Sequence, residues 1–392
     1  MPVNRETFES VVVVVTLDPG SSLTKIIYQV IVNGVGSELK ILSMEPELML
    51  VTRRRIEDYE AERWTSTDPA EEAWVESGGV YYAVGFLAKQ FCGNAGWHEL
   101  KYERAAIKLL AALGVIAFRE GLPDKFDLAF NGLLPFKEYK DAHKFEAEVA
   151  EVLPNFNFRN RWFSVNLWMF DCKPEGAGLA LTRGKKIGVA IRSKIILVLM
   201  LGFRDVSFLR FERGKMADGG TSEQHYGLML LAQLMQKRTS DQSIENLVKA
   251  VHLATTVCKT AKDRQKVFSE LVRSKKEKNR AKEVAELIDA YTASLSEYWS
   301  ILSNWLDSIV PARLDEVVIG GGSSECLKSE LKSYFAPSVI SWSAELEEDV
   351  RLAFNLSNES AICLRYADGY GVSRPFVKRV EGSVEFTQKV GN

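Results

Sequence analysis

Cysteine and histidine are scarce in this chain, and neither is grouped. There are five cysteines (Cys92, Cys172, Cys258, Cys326 and Cys363) and four histidines (His98, His143, His225 and His252). No two cysteines form a CxxC pair, and no histidines form an HExxH or HxH arrangement, which argues against a histidine-based zinc site. An odd number of scattered thiols in a chain this long reads as reduced cysteine in a cytosol. An excess of one charge is also missing. Lys and Arg number 50 and Asp and Glu 52, a formal net charge of −2, so no global field draws the chain to nucleic acid or anionic membrane. Long apolar runs are absent too. Val11–Val15 and Ile195–Leu201 are far shorter than the ~20 residues of a membrane span. The first residues show no charged segment followed by an apolar one, so no signal peptide is expected. The expectation is a cytoplasmic protein without a membrane span.

What is present is ordinary globular composition, 46% hydrophobic and 26% charged, in 392 residues. That length suits two or three units of roughly 100–200 residues. The β-branched run Val11–Leu17 reads as a buried strand, followed by a turn and a second strand, Thr24–Val32. Leu39–Met44 and Val80–Val84 read as strands, and Arg53–Thr67 as a charged, irregular stretch. Tyr102–Leu113 has the apolar spacing of an amphipathic helix. Phe126–Leu134 and Arg161–Phe170 return to strand around a helix at Lys140–Val152. Near residue 190 the layout restarts: Ile195–Leu201 and Val206–Phe211 are two strands about a glycine-containing turn. Helices are expected at Ser222–Gln236, Ser243–Cys258 and, with a break, Ala261–Ile309. Further helices are expected near Glu347–Asn355 and Glu359–Tyr366.

Three turns carry candidate chemistry. "LDPGSSLTK" (Leu17–Lys25) places Gly20, Ser21 and Ser22 where backbone N–H groups can approach a polyphosphate closely. Asp18, ending a buried strand, suits a hydrated Mg²⁺, and Lys25 adds positive charge. "DPG" is also ordinary turn chemistry. "VVIGGGSS" (Val317–Ser324) lets a base or ribose lie against Gly320, Gly321, Gly322 and Ser323, with a helix N-terminus behind. A tight strand-to-helix turn would read the same way. "CKPEGAG" (Cys172–Gly178) sets Glu175 at a strand end, where a carboxylate can orient a water or simply be solvated.

In order and spacing these motifs resemble the actin-like ATPase superfamily, which also holds sugar kinases and heat-shock chaperones. "DPGSSLTK" looks like its first phosphate loop and "VVIGGGSS" like its adenosine loop. "YYAVGFLAKQ" (Tyr81–Gln90), "GLP" before "FDLAFNGLLPFKEYKD", and "PEGAG" resemble the bacterial and archaeal ParM-type branch, in register over roughly residues 11–370. The resemblance implies an α/β fold of two actin-like (ribonuclease H-like) domains around a nucleotide cleft, each with a smaller inserted subdomain. Domain I would be residues 1–190 with a C-terminal helix, 351–385, packing back on it. Domain II would be residues 191–350 with a helical subdomain at about 221–300. It further implies ATP and Mg²⁺ as ligands, Glu175 as the catalytic residue, Asp18 as a metal residue, and an ATP-dependent filament of the plasmid-segregation type. The partners implied are other copies of the chain and an adaptor protein, free or bound to DNA.

One motif departs from the family. Its second phosphate loop reads Asp-x-Gly-Gly-x-Thr-Thr-Asp, and the matching stretch here is "MLGFRDVS" (Met200–Ser207). Met200 stands in place of the Asp, and only Gly202 is retained. Arg204 either meets phosphate or is an exposed turn residue, while Asp205 either supplies the missing metal carboxylate or repels phosphate. The second reading is therefore a non-polymerising nucleotide sensor or scaffold with weak hydrolysis. A small-molecule kinase ranks third, for want of a recognisable sugar-binding acid. The basic stretch Arg273–Lys282 reads either as a solvated helix face or as a contact for DNA, an acidic adaptor or a neighbouring copy.

Overall fold

A computed structural model describes residues 10–65, 68–218, 220–258, 260–357 and 362–390. Thr67 and Glu359, which bound two of the expected segments, lie outside them. The chain forms two compact units, one of residues up to Gly178 together with those from Glu348, the other of Leu179–Glu347.

The first unit begins with strands β1 (Val11–Pro19), β2 (Thr24–Val32), β3 (Val35–Gly36), β4 (Lys40–Met44) and β5 (Leu48–Val51). Helix α1 (Arg53–Glu62), β6 (Trp74–Ser77), β7 (Val80–Val84), α2 (Phe86–Gln90) and α3 (Lys101–Glu120) follow. Then come β8 (Lys125–Leu134), α4 (Phe136–Tyr139), α5 (Ala142–Val152), β9 (Phe156–Phe158) and β10 (Arg161–Pro174). The central strand β1 is antiparallel to β2 and parallel to β8, which is parallel to β10. All nine residues of β1 are buried because the sheet is covered on both sides. Val13, Val15 and Leu17 pack in the core that includes Leu109, Leu113 and Ile116 of α3. Val12 and Val14 meet Phe376, Val377 and Val380 of the last helix. The unbroken apolar run follows from that double coverage.

The second unit repeats the plan. After α6 (Ala177–Ile187) come β11 (Ile195–Leu201), β12 (Asp205–Glu212), β13 (Lys215–Met216) and β14 (Thr221–Gln224). Four helices follow: α7 (Leu228–Gln236), α8 (Ile244–Thr256), α9 (Ala261–Ser269) and α10 (Glu277–Ile309). The unit closes with β15 (Glu316–Gly320), α11 (Lys328–Phe335), β16 (Val339–Trp342) and α12 (Ala344–Ala353), whose end belongs to the first unit along with α13 (Ile362–Val390). Again a hairpin partner, β12, is antiparallel to the central β11, which is parallel to β15, itself parallel to β16. Trp299 and Trp305 pack into this unit's core, Trp305 edge-on to Phe208 and Tyr226. No helix among the described residues is long and apolar enough to cross a membrane.

Three expectations about secondary structure need correction. Arg53–Glu62 is helical rather than irregular. Thr52 caps it by accepting from the Arg55 N–H at 3.2 Å, and Arg53–Glu57 and Arg54–Asp58 form ion pairs one turn apart. Thr221–Gln224 is a strand pairing with β12, so the helix expected from Ser222 begins only at Leu228. The basic stretch is helical only from Glu277.

Glu316 holds the start of β15 in place. It is fully buried and accepts from Arg183 Nε, from Lys194 Nζ (2.9 Å) and from Ser341 Oγ (2.8 Å). Burial works to raise its pKa, but these hydrogen bonds win and hold it below the usual carboxylate range. Glu316→Gln should therefore destabilise the protein by about 2 kcal/mol at pH 7. A lowered folded pKa gives stability that is complete above the unfolded value of about 4.3 and is lost as pH falls through the folded one. Urea denaturation of both proteins should show the gap closing below about pH 4. An undiminished gap in acid would mean that the Glu316 charge is not what stabilises the strand.

Candidate functional site

Parallel strands direct their carboxyl ends the same way, and in open α/β sheets ligands bind beyond those ends. In the first unit β1 delivers Asp18 there and β10 delivers Glu175. Asp18 pairs in register with Lys25 across the hairpin, and its Oδ2 forms an ion pair with Lys25 Nζ. Its Oδ1 is buried with no hydrogen-bond partner. Of the turn residues, Ser21 is buried, its carbonyl accepting from Trp97 Nε1 at 3.4 Å. Ser22 Oγ accepts from Arg365 Nη2 at 2.8 Å, and Gly20 sits tightly against the Leu23 carbonyl.

Glu175 is buried and accepts from Lys101 Nζ at 2.5 Å, an ion pair made by the first residue of α3. The loop behind it is clamped by Asp368 of α13. The Gly176 N–H donates to Asp368 Oδ2 and the Gly178 N–H to Oδ1, each at 2.8 Å. Gly178 permits this approach, since a Cβ there would stand 2.0 Å from the Asp368 carbonyl oxygen. Lys101 and Asp368 were not singled out from the sequence. Their partners lie 74 and 192 residues away, so no local pattern could mark them.

In the second unit the two remaining turns lie side by side. Met200, buried, is the register partner of Gly320, and the Ser323 hydroxyl donates to the Gly202 carbonyl at 2.8 Å. Gly321 has φ +92°, and a Cβ there would fall 2.2 Å from the Leu201 carbonyl oxygen. Gly322 faces open space. Arg204 is not an exposed turn residue. It is 2% exposed, and its Nε donates to both Asp205 oxygens at 3.1 and 2.9 Å. The carbonyls of Gly202, Phe203 and Arg204 accept the N–H groups of Leu228, Met229 and Gly227, so this turn caps the start of α7.

Beside the glycine turn is a cavity of about 830 Å³, within the size range of small-molecule sites. Cys326 and Glu325, just past the turn, form one wall, and Tyr291 of α10 with Lys262 and Arg264 of α9 form others. Burial pushes both the Tyr291 hydroxyl and the Cys326 thiol up to about 12, so both are neutral near pH 7, and the thiol donates to the Ser323 carbonyl at 2.9 Å. The Tyr291 ring and hydroxyl suit a heteroaromatic base, while the cations Lys262 and Arg264 are balanced in the same lining by Glu325 and Glu330. The glycine turn is legible in the sequence, but the helical walls are not, because they come from segments up to 76 positions apart.

No protein-family model matches the sequence, and no curated protein matches it. Solved structures do match, over nearly the whole chain. Actin-like protein Alp7A superposes with a TM-score of 0.60 at 14% identity, covering 97% of this chain and 100% of that one. An archaeal actin homologue, Ta0583, gives 0.59 at 13%, covering 94% and 99%. The ParM of a Clostridium botulinum filament gives 0.57 at 13%, covering 93% and 99%. This chain has the two-domain actin-like fold. At such identities the likeness is one of fold, and the actin-like chain's ligands must be argued from its own residues.

Gly321→Ala tests the glycine turn. It would press a methyl group onto the Leu201 carbonyl and strain a left-handed backbone, and should cost about 1–3 kcal/mol in chemical denaturation. A neutral result would mean that the turn relaxes freely and needs no glycine.

Proposed function

We propose that this actin-like chain binds ATP with Mg²⁺ and uses it to form filaments of the plasmid-segregation type in the cytoplasm. The observation that carries this reading is that both units set small, close-approach turns at the carboxyl ends of buried parallel strands, in an actin-like fold. Matched structures solved as filaments include the Clostridium botulinum ParM, and AlfA from a B. subtilis plasmid (TM-score 0.50, 15% identity, covering 92% of this chain and 97% of that one).

The residues fit the ligands. Mg²⁺ is usually held by one or two carboxylates together with waters and phosphate oxygens. The orphaned Asp18 Oδ1 is such a carboxylate oxygen, and among the described residues no cluster of three metal-ligating side chains replaces it. Asp205 is the lesser candidate because Arg204 already engages both its oxygens. Bound ATP supplies the bond to be cleaved. The N–H groups of Gly20, Ser21 and Ser22 would hold phosphate, assisted by Lys25. In the second unit, the Gly320–Ser323 turn and the cavity at Glu325 and Cys326 are surfaces that suit a nucleoside. Glu175, fixed by Lys101 and by the Asp368 clamp, would orient the attacking water. Gly202 and Arg204 would act by shaping the turn next to Ser323.

The altered second loop supports a weak ATPase. Met200 offers no carboxylate, and Arg204 and Asp205 are spent on each other. The same observation favours the second reading, a nucleotide sensor that does not polymerise. Partners follow from the first reading: further copies of the chain, and an adaptor protein, free or DNA-bound, for which the exposed Lys275, Lys276 and Lys278 are available.

Asp18→Ala should weaken Mg²⁺–ATP binding at least about tenfold by calorimetry, while Glu175→Ala should keep the affinity and lose phosphate release. Unchanged affinity in Asp18→Ala would sink the metal assignment. Sedimentation with ATP, with ADP and without nucleotide decides between the readings. The filament reading predicts ATP-dependent pelleting, and no pelleting alongside intact ATP binding selects the sensor.

A further inference from the structure

Helix α3 carries three basic residues, Lys101, Arg104 and Lys108, spaced three and four apart and therefore on one face, and all three are buried. Two have partners. Lys101 holds Glu175, and Arg104 donates to Asn94 Oδ1 (2.7 Å), the Asn94 carbonyl (2.8 Å) and the Leu48 carbonyl (3.0 Å). Nearby, Lys25 is paired with Asp18 and Arg365 donates to Ser22. Lys108 differs. It is 2% exposed, and among the described residues it makes no hydrogen bond or ion pair. The same side of the sheet holds a buried polar atom without a partner. Thr24 pairs with Pro19 and with Met44, a residue of the core that α3 covers, so Thr24 lies on the α3 side of the sheet. Its Oγ1 is buried without a partner. Glu47 Oε2 is likewise buried and unpartnered. Burial pushes the Lys108 ammonium down to about 7. Arg104 and Lys101 push the same way, against the opposing fields of Glu47 and Asp18. An ammonium left unpaired in a buried site is costly, and a fold that keeps one gains from it only when an anion arrives.

We propose that Lys108 is a further phosphate-recognition residue, the buried cation set against the anionic end of the ligand held by the Asp18–Ser22 turn. This rests on the nucleotide-binding reading above. Among the described residues, Lys108 makes no hydrogen bond or ion pair, whereas Lys25, Lys101, Arg104 and Arg365 each already have a partner. The neighbouring cations hold the turn and Glu175 in place, and Lys108 meets the incoming charge.

The test compares wild type with Lys108→Met in two readouts. Calorimetry with Mg²⁺–ATP, Mg²⁺–ADP and adenosine should show at least a tenfold loss for both phosphorylated ligands and no loss for adenosine. Thermal unfolding without ligand should show an unchanged or higher Tm in the variant, because an unpaired buried charge has been removed. Lys108→Arg, which keeps a cation, should retain the affinity, and Lys108→Gln should lose it, so the comparison stands even if methionine is not tolerated. If wild type binds ATP and the uncharged variants bind it equally well, Lys108 has no such role and only this inference falls. An equal loss for adenosine, or a lower Tm with unchanged affinity, would make Lys108 a structural residue and also overturn it. If wild type binds none of the three ligands, the functional reading falls and this inference with it.

Discussion

The parallel pairing of β1 with β8 and of β8 with β10 is the constraint from which the rest of the first unit follows. It fixes the carboxyl ends of these strands on one edge, and so brings Asp18 and Glu175, far apart in sequence, to the same edge of one sheet. The pairing of β11 with β15 does the same in the second unit, setting the turn after Leu201 against the turn after Gly320. Parallel strands require helical crossovers on their faces, and α3 and α13 bury β1 from both sides. The unbroken valine run, the positions of the polar turns and the two-fold repetition of the plan are thus consequences of one pairing pattern.

Charges around these turns are mostly paired with one another. Lys25 with Asp18, Lys101 with Glu175 and Arg204 with Asp205 each satisfy a group that would otherwise be buried alone. Such pairs cost desolvation and return it only when well bonded, so their value lies in fixing positions more than in net stability. The buried polar atoms that stay unsatisfied, Asp18 Oδ1 and Thr24 Oγ1 among them, are where a ligand has something to gain.

Much of this was legible in the sequence because it depends on local pattern. Ile195–Leu201 is a strand over the predicted residues, and the run from Val11 is buried because its composition admits nothing else. The Gly320–Ser323 turn was visible as glycines between an apolar strand and a helix. Other features were hidden because their causes are distant or fine-grained. Helix α1 depends on a threonine cap and on ion pairs one turn apart, which a count of charges does not show. The Asp368 clamp joins segments at opposite ends of the chain. The sequence leaves Arg204 open between a phosphate contact and an exposed turn, whereas the start of α7 and Asp205 enclose it.

The central claim is that the turn after β1 receives Mg²⁺–ATP, with Asp18 toward the metal and the amides of Gly20–Ser22 toward the phosphates. A structure determined with Mg²⁺ and a non-hydrolysable ATP analogue measures this directly. Metal density at Asp18 Oδ1 and phosphate at the amides of Gly20–Ser22 are expected. An analogue bound away from this turn, or none bound at saturating concentration, would contradict the claim.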